Sequence, residues 1–107
     1  MSRLSLLRCI GIAMLAVAFA GAGPAHAQSA VSGAIVIVAA DPQDVVVELN
    51  QAGPCGSRYF HIQRASANFK EMTALAMTAF AAGKPMVMFV VGCAGDRNLI
   101  SHGYAAR

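Results

Sequence analysis

The apolar positions of this chain change period several times, and each change marks an element. Gly33 to Ala40 reads GAIVIVAA, a short β-branched run that stops at the turn signal Asp41-Pro42. Asp44 to Asn50, DVVVELN, is a second such run, closed by Gln51, Ala52, Gly53 and Pro54. Branched side chains are stiff at χ1 and pack well on a pleated surface, so both runs predict strands joined by a hairpin connection. SRYFHIQR, Ser57 to Arg64, then alternates. Tyr59, His61 and Gln63 fall on one side and Phe60 and Ile62 on the other, which predicts a half-buried third strand.

The period lengthens in ANFKEMTALAMTAFAAGKP, Ala67 to Pro85. Phe69, Met72, Ala76 and Phe80 recur at helical spacing and predict an apolar stripe facing a core. Asn68 is placed to cap the helix while Glu71 reaches back to its amide, a variant of the capping box. Gly83 followed by Pro85 predicts the stop. The back of the helix carries Lys70, Ala74, Thr78 and Ala81, small and bland where charge is usual. That face reads either as an alanine-rich helix of high propensity or as a surface for a neighbouring subunit's helix. PMVMFVV, Pro85 to Val91, predicts a fourth strand, apolar on both faces. Cys93 to Asn98 reads as a turn and LISHGY, Leu99 to Tyr104, as a fifth strand.

The leading segment belongs to none of this. Arg3 and Arg8 precede an almost unbroken apolar stretch from Ile10 to Ala20, followed by Gly21, Gly23 and Pro24. Ala25 and Ala27 then supply the small residues that signal peptidase accepts, predicting cleavage between Ala27 and Gln28. The stretch is shorter than the ~20 residues of a spanning helix, so no membrane span is expected after cleavage. Cys9 precedes the apolar stretch, where a lipoprotein cysteine would follow it, and leaves with the peptide, as does His26. Residues 28–107 are expected to form a single small domain, periplasmic or secreted, from a Gram-negative-type bacterium.

Removing the leader changes the charge. The whole chain carries a formal +3. Residues 28–107 keep six basic and five acidic side chains, a net +1. A nearly neutral surface with few aromatics excludes the basic, stacking groove of a nucleic-acid binder.

Only Cys55 and Cys93 remain after cleavage, in an oxidising compartment. An even pair in a small exported chain predicts a disulfide, and glycines beside each cysteine suit the approach. A catalytic thiol would need His61 or His102 as its base. Zinc would need all four residues, yet no close C-x-x-C or H-x-x-x-H pair preorganises such a site. No metal or cofactor is expected.

Three strands, a helix and two strands is the layout of a five-stranded OB-fold-like barrel with its helix between strands 3 and 4. A two-layer α+β sandwich has the same order. NFKEMTALAMTAFAAGKPMVMFVVGC, preceded by the glycine-flanked Cys55, resembles the helix-and-strand core of small exported bacterial OB-fold proteins of the AB5-type toxin B-subunit kind, such as subtilase cytotoxin's. The likeness covers about half of residues 28–107 and is one of shape, without a signature motif. It implies a ring-shaped pentamer whose helices line the centre, a glycan ligand on the outer surface and an exported A-type partner. No sugar-contacting residue carries over, and the chain lacks the longer loops and C-terminal extension of the toxin subunits.

For function, the residues favour a non-enzymatic binding module. Its best local cluster is Arg58, Tyr59 and His61, with His102 and Tyr104 as neighbours on another strand. The competing reading buries Tyr59 in the core and leaves His61 a satisfied surface histidine. A monomeric periplasmic protein of structural or inhibitory role is the alternative function. Hydrolysis would draw on Ser101, His102 and Asp96. Adjacent strand residues point to opposite faces, however, so Ser101 and His102 are expected not to converge, and no catalytic residue is assigned.

Overall fold

The computed structural model describes residues 29–107; the expected signal peptide, its cleavage site, Cys9 and His26 lie outside the described residues. The fold is β-rich with one helix: β1 (Ser29–Ala40), β2 (Asp44–Leu49), β3 (Tyr59–Gln63), α1 (Phe69–Ala82), β4 (Pro85–Ala94) and β5 (Arg97–Ala105). The hydrogen-bonded order is β1-β2-β3-β5-β4, and β4 returns to β1 to close the ring as a barrel. All neighbours are antiparallel except β3 and β5, whose short parallel seam pairs Phe60 with Asn98 and His61 with Leu99.

β1 begins earlier than the β-branched run suggests, because its first half has a separate partner. Ser29 to Ala34 pair with β4, and Ile35 to Ala40 pair with β2 after a bulge at Val36. Gly33 lies just before this change of partner. A Cβ there would come within 2.6 Å of Asn50 Oδ1, the atom that accepts the Ala34 amide. Alternation then fills the interior. Val45, Val47 and Leu49 from β2 meet Phe60 and Ile62 from β3, Met86, Met88 and Val90 from β4, and Ile100 from β5.

α1 closes this core with Met72, Ala76 and Ala79, supported by half-buried Phe69 and Leu75. The expected stripe is therefore displaced at its C-terminal end. Phe80 is 46% exposed, and Ala79, one residue earlier, turns inward. The capping box also fails to form. The Asn68 side chain makes no cap hydrogen bond, because its Nδ2 donates instead to the Ser101 carbonyl, 2.9 Å away on β5. The C-terminus is as expected. Gly83 is left-handed (φ +65°), and Gly83 and Lys84 amides donate to Phe80 and Ala79 carbonyls, a Schellman arrangement.

Cys93 sits in a strand, not a turn. It pairs with Asn98 across the β4–β5 ladder, and the turn tightens to Gly95 and Asp96, with Gly95 at φ +63°. Cys55 and Cys93 form the expected disulfide, with Cα atoms 5.6 Å apart. Beneath it, fully buried Asn98 ties three pieces of chain together. Its Oδ1 accepts from the Cys55 amide, and its Nδ2 donates to the carbonyls of Ser57 and Tyr59. No described helix is long and apolar enough to cross a membrane.

Candidate ligand-binding face

The β2–β3 register decides which side chains share the outer surface. Asp44 lies opposite Gln63, Val46 opposite His61, and Glu48 opposite Tyr59, while the residues between them enter the core. Ile37 on β1 extends the last pair to a third strand. This end of the face is open: Tyr59 and Ile37 are each 48% exposed. Beside Tyr59, Arg58 reaches the Glu48 carboxylate at 3.6 Å, with Arg58 largely exposed and Glu48 largely covered. An aromatic ring thus stands next to a planar ion pair.

His61 lies on the same face but is covered. It is buried between Val46 and Leu99, its register neighbours on β2 and β5, and its Nδ1 lies 2.8 Å from Asp44 Oδ2. Arg58 and Tyr59 therefore come together as expected. The alternative placement is reversed, since Tyr59 is half exposed and the satisfied histidine is the buried one.

Farther along the same side lies a cavity of about 310 Å³, lined by Gln43, Asp44, Gln63, Ala94, Arg97 and Leu99 among others. A second, of about 240 Å³, adjoins it under the β1–β2 loop and shares Gln43, Asp44 and Arg97. That loop is held by Arg64, whose Nε and Nη2 both donate to the Asp41 carbonyl while its guanidinium covers the Phe69 ring. Arg97 has neither an ion pair nor a side-chain hydrogen bond among the described residues, so it offers these cavities an uncommitted cation. Nothing in the pattern of the sequence singles out Arg97. Its place follows from the parallel β3–β5 seam, which local periodicity cannot report.

The remaining candidates lie elsewhere. His102 and Tyr104 are toward the other end of β5 and pack on Phe89 of β4, so they do not extend the Tyr59 cluster. Ser101 and His102 do converge, against expectation: Ser101 Oγ is 2.7 Å from His102 Nδ1. Asp96 stays apart in the β4–β5 turn, where its carbonyl accepts from Ser57 Oγ. The disulfide removes both cysteines from any thiol or zinc chemistry. On α1, Ala74, Thr78 and Ala81 are exposed together with Met77 and Phe80, and Thr78 Oγ1 bonds back to the Ala74 carbonyl. Comparison with protein-family models, curated proteins and solved structures finds no match to the chain.

Proposed function

We propose that this chain is an exported, non-enzymatic binding module of OB-fold type that takes a glycan on the outer face of β2 and β3. The observation carrying this reading is the half-exposed Tyr59 ring beside the Arg58–Glu48 pair. A sugar lays its C–H face on an aromatic ring, and its hydroxyls hydrogen-bond to planar polar groups at the ring's edge. The cavity around Gln43, Gln63 and Arg97 continues the same side and gives further units of an oligosaccharide somewhere to lie.

The likeness to B-subunit-type proteins suggests that copies assemble as a pentameric ring, with an exported A-type subunit as partner. The small, exposed positions Ala74, Thr78 and Ala81 would let helices approach closely in such a ring.

A glycan array probed with the wild-type protein and with Tyr59→Ala tests the reading. Retention of selected glycans by wild type, lost in the variant while the melting temperature holds, is the expected result. Equal signals from both proteins would remove Tyr59 from the site, and an empty array would remove the glycan. Light scattering on the eluting protein tests the ring, and a clean monomer at high concentration would exclude it.

A further inference from the structure

The contact between Ser101 and His102 has a definite structural cause. Opposite Val90 and Phe89 of β4, β5 places Ile100 and His102, leaving Ser101 as an extra residue between them. In an unbroken strand, neighbouring side chains point to opposite faces. A bulge breaks that rule by kinking the strand and re-aiming its side chains. Here it brings the hydroxyl within 2.7 Å of the imidazole. Both partners are held. The Ser101 carbonyl accepts from Asn68 Nδ2 at 2.9 Å, and the His102 ring stacks on Phe89 with centroids 4.4 Å apart and planes 10° from parallel. Ser101 is only partly buried and His102 is exposed, so a reagent can reach them.

We propose that Ser101 is an activated hydroxyl that accepts an acyl group from activated donors, thioesters or aryl esters, making this bulge an O-acylation site. A hydroxyl paired with a positioned imidazole is the minimal arrangement for nucleophilic acyl transfer. Ser101 Oγ forms the new bond to the acyl carbonyl carbon, and the hydroxyl proton passes to His102 Nδ1. The bond from that carbon to the leaving sulfur or oxygen breaks. The imidazolium then returns the proton to the departing thiolate or phenolate, so one ester or thioester is exchanged for another without an oxidant or reductant. Phe89 acts as a positioning residue, fixing the imidazole plane by stacking on its face. Neither cavity described above reaches this bulge, and no carboxylate bonds to the ring's second nitrogen among the described residues. With neither a substrate cavity nor a third triad member at the bulge, a single acyl transfer is assigned and hydrolytic turnover is not. The site lies on β4 and β5, apart from Tyr59, and stands or falls independently of the glycan reading.

The test is to incubate the folded protein with p-nitrophenyl acetate, follow the released phenolate and map acetyl groups by peptide mass spectrometry. The expected result is a burst of about one equivalent, with the acetyl group on Ser101. Ser101→Ala should abolish it, and His102→Gln should slow it at least about tenfold. Phe89→Leu should slow it less. Unchanged far-ultraviolet circular dichroism and melting temperature in each variant separate lost reactivity from lost fold. Acetyl groups confined to Lys70, Lys84 and the amino terminus would overturn the proposal. So would an unchanged Ser101 rate in His102→Gln.

Discussion

Gly53 faces Asn98 so closely that a Cβ on the glycine would meet the Asn98 side-chain amide, 2.6 Å from its Cγ. That amide cannot move aside without giving up its bonds to Cys55, Ser57 and Tyr59. Gly53→Ala should therefore act as a mutation of Asn98. Asn98→Ala itself takes the acceptor from the Cys55 amide and a donor from each of the Ser57 and Tyr59 carbonyls, and should cost about 2–4 kcal/mol. Chemical denaturation of both variants checks this. A double variant less destabilised than the sum of the singles would show that they act on one network.

The disulfide closes a sequence separation of 38. Chain entropy values such a loop at about 3–4 kcal/mol, a large share of the stability of a domain this small. Reduction, or Cys55→Ser with Cys93→Ser, should lower the denaturation midpoint accordingly. A shift below about 1 kcal/mol would mean that Asn98 alone holds the region.

Asp44 and His61 form a pair with side chains only 13% and 7% exposed. Truncating one leaves the other covered and unpaired, so Asp44→Ala and His61→Ala should each cost about 2–4 kcal/mol. A double-mutant cycle should return a coupling of about 1–3 kcal/mol. Coupling near zero would mean that the two groups are independently solvated.

On α1, Met72 is 4% exposed and Phe80 46%. Met72→Ala should cost about 2–4 kcal/mol by opening a cavity, whereas Phe80→Ala should cost under about 1 kcal/mol. Equal losses would place Phe80 in the core after all. The same pair tests association, because loss of an oligomer in Phe80→Ser without loss of monomer stability would assign that face to a subunit contact.

Local pattern and long-range pairing were unequally legible in the sequence. Alternation around Phe60–Ile62 and the short apolar, β-branched runs around Val45–Leu49 and Met86–Val90 identify core strands because both patterns report burial directly. The Cys55–Cys93 bond follows from the even pair of cysteines left once the expected leader is set aside. Asn68 misleads because a cap preference is local, while its actual acceptor on Ser101 comes from β5, 33 positions away. Phe80 misleads for a related reason: a small inward Ala79 can fit where the helix runs close to the sheet, leaving the larger ring outside. Ser101 and His102 fail a rule of strand alternation that holds only for unbroken strands, and no residue type announces the bulge. Of the site, Arg58 and Tyr59 could be read from their neighbours. Arg97 joins it only through a parallel seam that links distant strands.

That seam has a kinetic consequence. β3 and β5 share only two register pairs, whereas β4 and β5 run together for most of their length. The barrel should therefore breathe along β3–β5 first, by local openings that leave the rest of the fold intact. The clasp of Cys55, Cys93 and Asn98 sits at one end of this seam and Leu99, beside the Arg97 cavity, at the other. Opening should thus be one-sided, hinged at the disulfide and widest toward the Arg97 cavity. Amides that bond across the β3–β5 seam should exchange faster than those of the β4–β5 ladder, and reduction of the disulfide should speed them further.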